Sequence, residues 1–220
     1  MIATPSVKKP DGRYTAHRER QRCRILEAAQ ELFDVRGIDR VAMSEIVLAT
    51  GIRASTLYEY FSNKDEIVWA LVEQAMVQSS EKIREITDVV TGPALSKITA
   101  LFQALENELT DHPERVRFMA QFDAMYARDW SVERLIALEE QIIPGRFRDL
   151  GALIREGIAD GSLRSDLDPD LTMHAVLNAV IGAQRRLASL GSRVEEEYGQ
   201  PIDRLFRETV RILLLGLRAT

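Results

Sequence analysis

The chain has 220 residues, of which 45% are hydrophobic and 29% are charged, and its net charge is −5. This balance is normal for a folded globular protein and excludes a disordered chain. The apolar stretch Ile212 to Leu215 is far too short to cross a bilayer, and the N-terminal segment lacks the apolar core of a secretory signal. With Cys23 as the single cysteine, no intramolecular disulfide is possible. We therefore expect a cytoplasmic protein with no membrane partner.

The charge is distributed unevenly along the chain. Residues 1–64 hold 11 Lys and Arg against 8 Asp and Glu, a net charge of +3, whereas the remainder holds 18 against 26, a net charge of −8. A basic N-terminal segment on an acidic body is typical of a DNA-contacting domain attached to a domain with another role. A solvated basic tail would explain the charge equally well.

Apolar residues recur at intervals of three and four, which predicts an all-α protein. Residues 1–16 are polar and contain Pro and Gly, so we expect a flexible basic arm. A first helix is predicted from about Arg18 to Arg36, where Gly37 ends it. Two short helices follow, at about residues 42–50 and 53–60, joined by a turn at Gly51.

Further helix starts are marked by polar caps and prolines. They are predicted at Ser62, Gly92, His112, Ser131, Asp168 and Pro201. The start at Asp168 has a capping carboxylate followed by Pro169 at the first helical position. Pro144-Gly145 must kink or break the helix that begins at Ser131.

The stretch from Met43 to Lys64 carries the functional signal. Two short helices joined at a glycine fit a helix-turn-helix. We expect Ile46, Val47, Leu57 and Phe61 to face the first helix, which leaves the polar side chains outside. Small residues at the start of the second short helix allow it to enter a major groove closely, and the tyrosines and lysine at its rim can donate hydrogen bonds to phosphates. The predicted DNA-binding residues are Ser44, Arg53, Ala54, Ser55, Thr56, Tyr58, Tyr60 and Lys64.

Over residues 20–70 the sequence resembles the TetR family of bacterial regulators (tetracycline-repressor-like). The residues that carry the resemblance are Gly37, Ile46, Thr50-Gly51-Ile52, Thr56-Leu57-Tyr58-Glu59-Tyr60-Phe61, Lys64 and Glu66. The resemblance implies an N-terminal three-helix helix-turn-helix domain and a C-terminal helical domain for effector binding and dimerisation. It also implies that Tyr58, Tyr60 and Lys64 hold phosphates, while residues 53–56 lie over the bases.

Three positions depart from the family pattern. Ala42 replaces the hydroxyl residue that usually caps the second helix, so that Ser44 is left as the phosphate donor there. Arg53 replaces the serine that caps the third helix; it cannot cap, but it can reach a base or a phosphate. Tyr60 replaces a histidine that is common near the end of the recognition helix.

A group of aromatic and polar residues is the candidate effector site. Domains of this kind enclose an apolar cavity with a few polar groups. We predict that the cavity is lined by Phe118, Phe122, Tyr126, Trp130 and Asn178. Ordinary core packing is the alternative for each of them.

The last two predicted helices carry more apolar residues than one monomer's core requires. These residues are Val176, Val180, Ile181, Leu187, Leu205, Phe206, Val210, Leu213, Leu214 and Leu217. Pairing with the same helices of a second copy would bury them in a two-fold four-helix bundle, with close approach at Gly182. A homodimer also fits a palindromic operator.

No pattern indicates catalysis or a cofactor. His17, His112 and His174 are scattered, without Cys or carboxylates at metal-ligand spacing, so we predict no metal site. The sequence has no phosphate-binding loop and no nucleophile elbow, which argues against an enzyme. Neighbouring arginines can make Cys23 redox-sensitive, but ordinary packing is the favoured role for this residue.

These observations predict a ligand-responsive repressor that binds double-stranded operator DNA and is released when a small apolar effector binds. The predicted domains are the arm over residues 1–16, the helix-turn-helix domain over residues 17–64, and the ligand-binding and dimerisation domain over residues 65–220. Three alternatives stay open at this point: a transcriptional activator with the same head, a helical dimer whose head binds protein, and a small helical enzyme.

Overall fold

A computed structural model describes residues 12–142 and 151–219 of the chain. These residues are almost entirely helical, as the hydrophobic periodicity predicts. The helices are α1 (Gly12–Arg36), α2 (Met43–Thr50), α3 (Ala54–Tyr60), α4 (Lys64–Thr87), α5 (Ala94–Asp111), α6 (Pro113–Asp129), α7 (Val132–Ile142), α8 (Ala152–Ala159), α9 (Pro169–Leu190), α10 (Arg193–Tyr198) and α11 (Ile202–Leu217). No helix within the described ranges is long and apolar enough to span a membrane.

The chain divides into two compact units, Met1–Leu71 and Val72–Thr220. The division falls inside α4, further along the chain than the boundary after Lys64 that the sequence predicts. In the first unit, α1, α2 and α3 enclose a core of Ile25, Phe33, Ile46 and Leu57, each at most 1% exposed. The start of α4 belongs to this unit because its apolar residues, such as Ile67, are buried as well.

Helix α1 begins earlier than predicted. Its first residue is Gly12 rather than a residue near Arg18, so residues 12–16 of the expected arm are helical. No proline lies between Pro10 and Pro93, and the Arg, Ala and Glu residues that follow Pro10 favour a helix. The rest of the predicted arm, residues 1–11, lies outside the described residues.

The second unit is built around α9, which packs against α5, α6, α8 and α11. Its core contains Phe102, Ile154, Val180 and Phe206, each fully buried. Helix α10 was not predicted, because Val194 is the only aliphatic residue of its short polar sequence and shows no apolar periodicity. The predicted break at Pro144-Gly145 lies outside the described residues.

Two carboxylates determine where helices of the second unit begin. The Asp168 side chain accepts a hydrogen bond from the backbone N–H of Leu171 at 3.0 Å, which confirms the predicted cap of α9. Asp160 accepts from the N–H of Ala94 at 2.8 Å and thereby caps α5 from a distant part of the chain. Hydrogen bonds from Ser162 and from the Ala94 N–H lower the pKa of Asp160.

Candidate DNA-binding site and effector cavity

Helices α2 and α3 form the predicted helix-turn-helix. Gly51 ends α2 in the left-handed conformation, with φ of 66°, a region that glycine adopts without steric cost. Three of the four residues expected to face α1 are buried: Ile46 and Leu57 have no exposed surface, and Phe61 is 4% exposed. The fourth, Val47, is half-buried.

Polar contacts join α1 to both ends of α2. Arg24 Nη2 donates to the backbone oxygen of Thr50 at 2.8 Å. Glu45 forms an ion pair with Arg36 and accepts a hydrogen bond from the backbone N–H of Ala42 at 2.9 Å. The Ala42 N–H and the Arg36 guanidinium together lower the pKa of Glu45. Glu45 therefore supplies a side-chain hydrogen bond at the start of α2, where Ala42 has no side chain that can cap the helix.

The predicted DNA-binding residues of α3 lie opposite its buried Leu57. Ala54, Ser55 and Tyr58 are exposed, as is Arg53 immediately before the helix. Thr56 and Tyr60 are half-buried, and the Arg18 guanidinium of α1 lies 5.7 Å from the centre of the Tyr60 ring. Ser44 is exposed on the first turn of α2. These side chains are accessible, and their individual contacts with DNA stay predictions.

Lys64 has an intramolecular environment that the resemblance did not predict. Its Nζ donates to the backbone oxygens of Ile38 at 2.8 Å and Val41 at 3.0 Å, with Asp39 O at 3.4 Å. These oxygens belong to the 3-10 turn Ile38–Arg40 and to the residue that follows it. In this conformation the ammonium binds protein carbonyls, whereas the resemblance implies a phosphate contact.

A cavity of about 440 Å³ lies within the second unit, between α4, α5, α6, α7 and α9. Two of the five predicted effector-binding residues, Phe122 and Asn178, line it. Phe118, Tyr126 and Trp130 are not among its lining residues, and the role of all five in effector binding stays a prediction. Phe118 is buried in the core, while Tyr126 and Trp130 stack on Phe122 with ring centres 5.8 and 5.5 Å away. Residues at intervals of four lie on the same face of a helix. Of the three stacked aromatic residues, Phe122 is the one that lines the cavity.

Sequence analysis missed the charged residues that line the cavity. Glu108 forms an ion pair with Arg115 at 2.8 Å, and Ser79 Oγ of α4 donates to the same carboxylate at 3.2 Å. Asp123 pairs with Arg185. Glu108 lies on the stripe of Leu101 and Leu105, at intervals of seven and three, and this spacing is the sequence signal that places it inside.

Glu139 of α7 is a further carboxyl group on the cavity wall. Burial raises its pKa, because a low-dielectric environment disfavours the charged form of the carboxyl group. The cavity therefore combines apolar walls with two ion pairs and a carboxyl group that is partly shielded from solvent.

The predicted dimer surface needs a correction. Val176, Val180, Leu187, Phe206 and Leu217 are buried within the chain's own core, so a second copy is not required to cover them. The core of the second unit is larger than the sequence suggested, because α9 is surrounded by several helices. On α11, Ile212 and Leu215 remain 57% and 54% exposed.

A helix-turn-helix unit followed by a helical unit that contains a cavity is typical of a class of protein, the DNA-binding transcriptional regulators. The family model described as bacterial regulatory proteins, tetR family, matches residues 25–71, from α1 to the start of α4. Over these residues the chain is similar to the TetR family of bacterial regulators.

Similarity to known relatives extends through both units. The HTH-type transcriptional repressor KstR2 of Mycolicibacterium smegmatis is 25% identical over 190 residues, covering 82% of this chain and 85% of the relative. The fatty acid metabolism regulator protein of Bacillus subtilis is 24% identical over 156 residues, which is 71% of this chain and 77% of that protein.

Solved structures show the same fold. The ketosteroid transcriptional regulator KstR2 of Mycobacterium tuberculosis superposes with a TM-score of 0.67 at 22% identity, over 91% of this chain and 96% of that one. The fatty acid degradation regulator FadR of Bacillus halodurans gives 0.65 at 21% identity, over 98% of this chain and the whole of the other.

Proposed function

We propose that the protein is a ligand-responsive transcriptional repressor, located in the cytoplasm, that leaves a palindromic operator when a small, mainly apolar effector binds in the second unit. The observation that carries the proposal is the course of α4. This helix begins at Lys64 in the DNA-binding unit, and its later residues, including Met76 and Ser79, line the cavity. A ligand that contacts α4 therefore acts on the helix that leads directly from the helix-turn-helix.

The cavity supports an effector of this kind. Its volume lies in the range of pockets that enclose drug-sized molecules, and more than half of its lining residues are apolar. Two of the similar proteins are named for ketosteroids and for fatty acids, and both kinds of molecule are largely hydrocarbon. An effector that binds one conformation better than the other shifts the equilibrium by that difference, typically about 1–3 kcal/mol.

The Ser79–Glu108 hydrogen bond offers a route for this coupling. It joins α4 to α5 at the cavity wall. An effector that donates to Glu108 competes with Ser79 for the carboxylate and thereby weakens the attachment of α4.

We further propose that the protein is a homodimer joined through α9 and α11. The two helices pack against each other, and α11 leaves Ile212 and Leu215 exposed on its outer side. Within the described residues, no atom lies within 4 Å of a Cβ placed on Gly182 of α9, which leaves room for close approach of a second copy. Two copies would present their α3 helices to successive major grooves.

The test is binding to the DNA upstream of the protein's own gene, measured by fluorescence anisotropy of the labelled duplex. We expect saturable binding that is much tighter than to a scrambled duplex, and loss of the signal when a hydrophobic probe such as a ketosteroid or a fatty alcohol is added. Equal affinity for both duplexes would contradict the DNA-binding role. Specific binding that no hydrophobic probe reverses would contradict the effector-dependent release.

A further inference from the structure

The two ion pairs on the cavity wall lie near opposite ends of the lining part of α6. Arg115 and Asp123 are eight residues apart, which corresponds to about 12 Å along a helix axis. The segment between them contributes Val116, Met119 and Phe122 to the wall. An apolar stretch of the α6 wall therefore separates the two charged pairs.

Both pairs are partly or largely withdrawn from solvent. The side chains of Glu108 and Arg115 are 9% and 19% exposed. In the second pair, Arg185 is 24% exposed and Asp123 is 47% exposed. Burying an ion pair contributes little to stability, because the cost of desolvation offsets much of the attraction. Two such pairs on the wall of one cavity are better explained by recognition of a ligand.

The charges of each pair restrict the polar group that can bind there. A carboxylate would be attracted by the arginine but repelled by the neighbouring Glu108 or Asp123, and an ammonium group would meet the opposite conflict. A hydroxyl group both donates and accepts hydrogen bonds. It can donate to the carboxylate and accept from the guanidinium, so that it satisfies both members of a pair without adding a charge.

The remaining charged groups of the lining add to the case against an anion. Glu139 places a third carboxyl group on the wall. Lys82, the third cation, is 61% exposed and lies 4.0 Å from Glu85, which does not line the cavity. An anionic ligand would thus meet three acidic side chains and only two well-buried cations.

We infer that the effector is an uncharged, elongated hydrocarbon with a hydroxyl group at each end, one bound at the Glu108–Arg115 pair and the other at the Asp123–Arg185 pair. This inference rests on the proposed function, since it assigns a chemical class to the ligand of the same cavity. The apolar body lies along Met119 and Phe122.

The test is isothermal titration calorimetry of the full-length protein with terminal diols of hexane, octane, decane and dodecane. Primary alcohols, carboxylic acids and amines of the same chain lengths serve as matched probes. We expect one diol length to bind about ten-fold more tightly than its alcohol, because a hydrogen bond to a charged group contributes that much. The acid and the amine should bind more weakly than the alcohol.

Variants locate the two hydroxyl groups. Asp123→Asn, at the more exposed pair, keeps the shape of the side chain and should reduce the advantage of the diol over the alcohol at least three-fold. Glu108→Gln tests the other end in the same way. Asp166→Asn is the control, because it removes the charge from an ion pair with Arg164 that is not on the cavity wall.

The inference is overturned if an acid or an amine is the tightest probe, if no diol exceeds its alcohol, or if no probe binds saturably. Binding to the upstream duplex is measured in parallel without any probe. Loss of that binding in the unmodified protein contradicts the proposed function, whereas intact DNA binding without a preference for diols contradicts the ligand class alone.

Discussion

The ammonium group of Lys64, at the first position of α4, lies 2.8 Å from the carbonyl oxygen of Ile38. Ile38 begins the turn that leads from α1 to α2, so this hydrogen bond and its companion to Val41 hold the start of α4 against the entrance to the helix-turn-helix. Because hydrogen bonds to a charged donor are stronger than neutral ones, this contact contributes to the position of α2.

Replacement of Lys64 distinguishes two roles of this residue, positioning α2 and binding a phosphate. Lys64→Met should lower the stability of the protein by about 1–3 kcal/mol and weaken operator binding. The slope of log affinity against log salt concentration should stay unchanged, because no phosphate contact is lost. Thermal unfolding and anisotropy at several salt concentrations measure the two effects. A slope reduced by about 0.9, with unaltered stability, would show instead that Lys64 binds a phosphate.

Residues of α3 should fall into two groups when they are replaced. Tyr58 is 52% exposed, and Tyr58→Phe should weaken binding to all duplexes about equally, because phosphate contacts carry no sequence information. Ser55→Asn should instead change which duplex is preferred. Competition between duplexes with single substitutions in each half-site measures the difference. Equal weakening by both variants across all duplexes would contradict the assigned roles.

The Ser79–Glu108 hydrogen bond should influence the response to effector. Ser79→Ala removes the donor, which favours the released conformation, so we expect about a three- to ten-fold lower probe concentration for half-release of the duplex. Ser192→Ala is the control, since Ser192 is exposed and does not line the cavity. An unchanged or higher half-release concentration would argue against coupling through this bond.

The exposed leucine and isoleucine of α11 test the dimer. Ile212→Asp and Leu215→Asp should shift the protein to a monomer in sedimentation velocity, because a carboxylate at the centre of an apolar interface is costly to bury. Both substitutions should also lower the affinity for the operator. Val89→Asp adds the same charge at a 76% exposed site outside both helices and should leave the dimer intact. A dimer that persists in both α11 variants would place the interface elsewhere.

Acid should weaken the start of α2. The pKa of Glu45 is held below its ordinary value of 4.5, so the stabilisation is present above that pH and is lost as the pH falls through the lowered pKa. Glu45→Gln removes the charge and should therefore lower the melting temperature at neutral pH. The two melting curves should converge in acid, and a constant difference across this range would exclude the ionisation of Glu45 as the cause.

Local signals determined much of the fold. The capping sequence at Asp168, the glycine at position 51 and the spacing of Leu57 and Phe61 predict the helix starts, the turn and the buried face of α3, all of which the structure confirms. Each depends on backbone preferences and side-chain periodicity within a few residues, which the order of amino acids specifies directly.

The particular contacts of the candidate site depended on the tertiary structure. Lys64 reaches the carbonyl of Ile38, Ser79 reaches Glu108, and Asp123 reaches Arg185, each across a long separation along the chain. The position of Phe122 on the cavity wall, with Tyr126 and Trp130 behind it, likewise depends on how α6 is rotated against its neighbours. Helical periodicity determines which residues share a face of one helix, but the partner of a polar side chain is decided only when distant helices pack together.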